Sequence, residues 1–184
     1  MAAPHRRWAA ELLHTWFHAL GPADWFGGGS RVDALLKRRF ERELAMLWPQ
    51  RADAFLGDPH TALAAVLLFD QVPRNLYRGT ADAFSCDVLA RAITHGAIRR
   101  GLDLKLTDQQ RQFLYMPLMH SEEVADQLLA LRLYARLPRR MGWSFARSHA
   151  RMIRRFGRFP HRNAVLGRTS TPAEKRAVAA GFAW

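Results

Sequence analysis

Three short stretches hold most of the residues whose types and spacing suit chemistry. The first is Asp70-Gln71-Val72-Pro73-Arg74-Asn75-Leu76-Tyr77-Arg78-Gly79. Its aspartate closes the apolar run TALAAVLLFDQ, and a carboxylate buried there requires a donor. Arg74 follows by four residues, one helical turn, so an Asp70–Arg74 ion pair is expected. That pair either fixes the helix end at Pro73 or lines a pocket. The second stretch is Phe113-Leu114-Tyr115-Met116-Pro117-Leu118-Met119-His120-Ser121-Glu122. It sets His120 beside an expected helix start, with Glu122 two residues on. A positive helix end lowers an imidazole's pKa and a nearby carboxylate raises it. The arrangement suits an acid–base group, and equally a hydrogen bond across a helix junction. The third combines His149 with Arg158-Phe159-Pro160-His161-Arg162-Asn163-Ala164-Val165-Leu166-Gly167-Arg168. Basic and aromatic residues around a proline make a donor-rich loop that either cradles an anion or is a solvated loop anchored by Phe156 and Phe159. Asp70, His120, Glu122 and His161 are the acid–base candidates. The candidate ligand contacts are Asp70, Arg74, Asn75, Arg78, His120, Glu122, His149, Arg158, His161, Arg162, Asn163 and Arg168.

Other chemistry is weaker. Glu11, His14 and His18 share one helix face, and two histidines four apart can bind a transition metal. No fourth ligand accompanies them, so no metal site is expected. Cys86, the single cysteine, reads as a small buried side chain rather than a nucleophile. Gly27-Gly28-Gly29 lacks the strand and the Gly-Lys-Ser/Thr ending of a phosphate loop. No Ser-His-Asp elbow is present, and nothing identifies a cofactor.

The elements that must carry these residues read as helices. Trp8, Leu12, Leu13, Trp16 and Leu20 recur at helical spacing, as do Val32, Leu35, Leu36, Phe40, Leu44 and Leu47. Asp58-Pro59 opens the most apolar helix, which is expected at the centre, with Leu63, Val66, Leu67, Phe69, Leu114 and Leu118. Further starts are expected at Thr80, at the Thr107–Gln110 capping box, at Ser121, at Ser144 and at the Thr171–Glu174 capping box. Stops are expected at Gly101, Pro138, Gly157 and Gly181. GLDLKL alternates but has no partner strand, so it is read as a loop. The expectation is an all-α single domain over residues 1–184, with about eight helices and no fixed repeat period.

The strings FDQVPRNLYRGTADAF, FLYMPLMHSEE and RFGRFPHRNAVLGRTSTPAE, in this order, resemble the bacterial domain-of-unknown-function family numbered nine hundred and twenty-four. The likeness extends to Trp25-Phe26-Gly27 and the Arg39-Phe40 helix, and so to nearly the whole chain. It implies a tetratricopeptide-like array of helices packed as antiparallel pairs, with no established activity. Asp70, Gln71, Arg74, Asn75, Tyr77 and Arg78 match the first motif. His120, Ser121 and Glu122 match the second. Arg158, His161, Arg162, Asn163 and Arg168 match the third. Val72 stands where the family pattern has phenylalanine, which bears on the pocket rim.

Charge narrows the partners. The 184 residues carry a net charge of +12. All of it lies in residues 127–184, where 13 Lys and Arg face Glu174 alone. Such a field attracts anions. With 49% hydrophobic residues the chain can build a core, and it has no apolar run of membrane-spanning length. A single cysteine rules out an internal disulfide framework and makes the reducing cytoplasm the expected compartment. Three functions follow from these features. The first is a polar pocket for an anionic small molecule or acidic peptide. The second is a small-molecule enzyme using Asp, His, Glu and Arg. The third, less favoured, is non-specific nucleic-acid binding by the basic C-terminal third, because Phe145, Phe156 and Phe159 read as core rather than as exposed stacking platforms.

Overall fold

The computed structural model describes residues 4–27, 29–138 and 141–182. Its elements are α1 (Pro4–His14), α2 (Pro22–Gly27), α3 (Ser30–Leu47), α4 (Pro59–Val66), α5 (Val72–Leu76), α6 (Asp87–Arg99), α7 (Asp108–Leu114), α8 (Met116–Met119), α9 (Val124–Tyr134), α10 (Trp143–Phe156) and α11 (Pro172–Ala179). Among the described residues there is no strand. GLDLKL contains only the short 3₁₀ turn Asp103–Lys105.

The starts read from Asp58, Thr107 and Thr171 are in place. Asp58 accepts from the His60 and Thr61 amides at 3.0 and 2.9 Å, with Pro59 at the first helical position. Thr107 with Gln110 and Thr171 with Glu174 form full capping boxes. Three expected caps fall elsewhere. Thr80 precedes a 3₁₀ turn, Ala81–Phe84, and its hydroxyl donates to the Tyr77 carbonyl, so α6 begins only at Asp87. Ser121 accepts from the Glu123 amide in a tight turn, and α9 starts at Val124. Ser144 lies inside α10, whose N-cap is Gly142 with φ 72°.

Gly142 is required twice over. Its φ is left-handed, and a Cβ there would lie 2.6 Å from Tyr134 Cε1. Gly157 has a similar φ of 69° but open space around it. Gly142→Ala is therefore expected to lower stability by about 1–3 kcal/mol, and Gly157→Ala by less, since backbone strain then acts without the ring clash. Urea unfolding of the two variants side by side checks this; equal losses would mean that the Tyr134 ring moves aside freely.

At the centre, α4 packs against α1, α6 and α7. Residues 62–69 are fully buried hydrophobics, and Leu63, Val66, Leu67, Phe69, Leu114 and Leu118 are all at zero exposure, where the apolar pattern puts them. Pro73 neither ends nor breaks this helix. The chain takes a π turn, Leu67–Gln71, and continues into α5 with Pro73 in its first turn, where a missing N–H costs least. A second π turn, Thr15–Ala19, follows α1. A smaller apolar cluster of Met152, Ile153, Phe159 and Ala177 gathers the C-terminal segment.

Candidate functional site

The π turn matters because it carries Asp70 into the core. The carboxylate is fully buried, and His120 meets it with Nδ1 at 2.8 and 3.0 Å from its two oxygens. Arg74 stands 3.3 Å away and Gln71 donates at 2.6 Å. Burial alone would push the Asp70 carboxyl up, but Arg74 and His120 outweigh it and hold it well below the usual carboxylate range. The expected Asp70–Arg74 pair exists, yet the Arg74 fork goes to Asp87, at 2.8 and 3.0 Å. His120 is not at a helix N-terminus; it is the C-cap of α8. That helix end is fixed from α9, where the buried Gln127 amide donates to the Leu118, Met119 and Ser121 carbonyls.

The third motif arrives over the same place. Glu122 accepts from the Phe159 amide at 2.7 Å and takes the Arg168 fork at 2.8 and 3.0 Å. Burial would raise the Glu122 carboxyl, but Arg168 and the Phe159 amide leave it below its ordinary value. Arg158 forks onto Glu174 at 2.7 and 3.0 Å, and Asn163 donates to Ser170. These bonds hold the turn Pro160–Arg162 against the domain. Arg162 is only 6% exposed. It lies between the Phe84 and Phe159 rings at 4.5 and 4.6 Å, and its Nη1 is 3.3 Å from Asp87. Burial and the neighbouring Arg74 pull its pKa down to about 10.

A cavity of about 500 Å³ opens here. Arg74, Asn75, Arg78, His120, His149, His161 and Arg162 line it, so residues of all three motifs meet. Asp70 stands directly behind His120. Glu122, Arg158, Asn163 and Arg168 are not brought to the cavity wall; their groups are spent on positioning the loop. Among the described residues no carboxylate lines the cavity: Asp70, Asp87 and Asp33 sit behind its histidine and arginines. The imidazoles are electrically neutral near pH 7. Burial lowers His120 despite Asp70, burial and His120 take His149 to about 3, and burial and Arg162 take His161 to about 4. With Nδ1–H donated to Asp70, His120 presents a bare Nε2 lone pair, which makes no hydrogen bond among the described residues.

The rest of the lining was not among the candidate contacts, although Trp25-Phe26-Gly27, Phe84, Met116 and Met119 lie within the stretches that carry the family likeness. Trp25 and Phe26 come from α2, Phe84 from the 3₁₀ turn, and Met116 and Met119 from α8. Phe145 is not core: it is 48% exposed and stacks on Phe26 at 6.3 Å beside the cavity. Phe159 is fully buried and Phe156 half-buried. Asp87, which holds two of the arginines, carried no signal beyond its place next to Cys86. Cys86 is buried and outside the lining, with its thiol pushed up to about 11 by burial, so it is no ready nucleophile. His14 and His18 lie 5.4 Å apart between ring centroids, and among the described residues no three His, Cys, Asp or Glu side chains gather as a metal site. No helix there is long and apolar enough to cross a membrane.

Among curated proteins nothing matches this chain. The solved structure of a protein of unknown function from Agrobacterium tumefaciens is similar to it, with 37% identity and a TM-score of 0.88 over 94% of this chain and 97% of that one. The family model described as bacterial protein of unknown function (DUF924) matches residues 12–181, and the chain belongs to that family.

Proposed function

We propose that the cavity binds an anionic small molecule with an apolar, ring-bearing body. One observation carries this reading. Arg162 is almost wholly buried, is clamped between two aromatic rings, and spends only Nη1 on a carboxylate. A guanidinium has five donors, and burying them without acceptors is costly. Nε is enclosed without a partner, whereas Nη2, which also makes no hydrogen bond among the described residues, is not enclosed and is the donor that a ligand carboxylate or similar oxyanion would fill. The aromatic lining from Trp25, Phe26, Phe84 and Phe145 suits an apolar body, and the volume is in the range of small-molecule sites. The reading includes one cytoplasmic domain over residues 1–184, of tetratricopeptide-like build. The packing of α9 on α10, the buried free Cys86 and the Glu122–Arg168 tie between the C-terminal loop and the turn before α9 support it.

Calorimetry with 3-phenylpropionate tests the pocket. Arg162→Lys should weaken binding at least tenfold while the thermal melt stays cooperative, because a point charge on a flexible stem cannot replace the clamped fork. Affinity unchanged in Arg162→Lys would remove the arginine from the site. A second reading has its own observation. A groove between α9 and α10 carries Arg147, Arg151 and Arg154 beside Val124, Leu128 and Leu131. Among the described residues no carboxylate pairs with those three arginines, so an acidic peptide or nucleic acid would bind there. Affinity for single-stranded DNA that falls steeply with salt, without 3-phenylpropionate binding, would favour that groove over the cavity.

A further inference from the structure

Resting on the pocket reading, we propose that the cavity is a hydrolytic site for carboxylic esters of apolar or aryl-bodied acids, in which His120 acts as general base and Asp70 as its positioning residue. The starting observation is the placement of Asp70. An ionised carboxylate at zero exposure, delivered by a π turn inside the most apolar helix, costs stability unless its partners are fixed. Its direct imidazole partner is His120, and the contact uses Nδ1, which leaves Nε2 as the lone pair on the cavity side. A carboxylate behind an imidazole sets the tautomer and orientation of a general base.

The lining decides the rest of the chemistry. Among the described residues it contains no Ser, Thr, Cys, Lys, Asp or Glu, and the Tyr134 hydroxyl is donated to the Gln112 carbonyl with its pKa raised by burial, so the attacking group is water. The lining arginines decide the electrophile. Arg74 is forked onto Asp87 and Arg78 onto Asp33. The buried fork with an open terminal nitrogen is that of Arg162. One such donor matches the single charge that develops on a carbonyl oxygen, whereas a phosphate ester brings two or more charged oxygens and calls for several free donors.

The step balances without an added reagent. Nε2 of His120 takes a proton from water as the water oxygen bonds to the ester carbonyl carbon. The carbonyl electron pair moves to oxygen, and the resulting anion faces Arg162 Nη2. On collapse the bond to the alcohol oxygen breaks, and that oxygen takes the proton back from Nε2. Ester and water become acid and alcohol, the acid ionises to solvent, and the product carboxylate is the anion that the pocket binds.

The experiment follows release of 4-nitrophenolate from 4-nitrophenyl 3-phenylpropionate by the full chain, beside calorimetry of 3-phenylpropionate. Wild-type protein should show saturable hydrolysis. His120→Gln should lose at least 100-fold in kcat, the lower end of general-base contributions, with KM and 3-phenylpropionate affinity within threefold. His120→Ala should regain rate with added imidazole, which a purely structural role would not give. The groups facing His120 are Asp70 from the π turn, Arg74 from α5, His149 from α10, and His161 and Arg162 from the turn after it. Burial, helped by Arg74 and Arg162, outweighs Asp70 and keeps His120 below its ordinary 6.5, so kcat/KM should climb to a plateau with a midpoint under that value. Asp70→Asn should move that midpoint. Binding of the acid with hydrolysis no faster than in His120→Gln overturns the ester proposal and leaves the pocket standing. Neither binding nor hydrolysis removes both. Hydrolysis indifferent to His120 places the reaction elsewhere and overturns the proposal.

Discussion

Lowering the pH from 6.5 to 4 is expected to remove on the order of 5 kcal/mol of folding stability, a large part of what a domain of this size holds. The cause is the histidine cluster. His149 titrates at about 3 and His161 at about 4 in the folded chain, against 6.5 when unfolded. Both folded values are depressed, so between pH 6.5 and 4 the unfolded chain binds more protons and folding weakens as pH falls. At about 1.36 kcal/mol per unit, His149 contributes about 3 kcal/mol over this range. His161 is partly exposed, and solvent screening cuts its share to about half that. His120 is shifted the same way, and Asp70 and Glu122, both held below their ordinary values, add to the loss at the acid end. Urea unfolding at pH 7, 5.5 and 4, followed by circular dichroism, measures the slope. His149→Gln should flatten it by about one proton. A midpoint that does not move with pH would mean the imidazoles are solvated.

Asp70→Ala is expected to cost about 3–5 kcal/mol, the range for breaking a buried ion pair from one side. The loss would not come from the carboxylate's own attraction alone. It comes from what is left behind: a buried imidazole without an acceptor for Nδ1–H, a Gln71 amide without its 2.6 Å partner, and Arg74 facing Arg162 with Asp87 shared between them. Asp70→Asn keeps an acceptor for the imidazole and should cost less. Denaturant unfolding of both variants checks the order. A loss under 1 kcal/mol for Asp70→Ala would show that water fills the gap and satisfies His120.

The two halves of this protein's logic have different origins. Helix identity, the central apolar helix and two capping boxes are local properties: spacing, a cap and a proline act within a few residues, so Asp58, Thr107 and Thr171 could be read directly. The residue types of the site were local too, since an aspartate in an apolar run and arginines around a proline stand out in any chain. Which of them face one another was not local. Asp70 and His120 are 50 residues apart, and nothing in either motif selects His120 over Arg74 as the closer partner. Glu122 and Arg168 looked like site residues, yet they form an ion pair across 46 residues and position the loop instead. Phe145 followed a core-like spacing and ended exposed beside Phe26, because α2 and α10 meet at the cavity only in three dimensions. Pro73 read as a helix end or kink, and the chain instead runs on through the π turn into α5. Sequence pattern specifies what each segment buries; long-range packing decides which polar groups must then satisfy one another, and that pairing separates the residues that hold the site from those that face it.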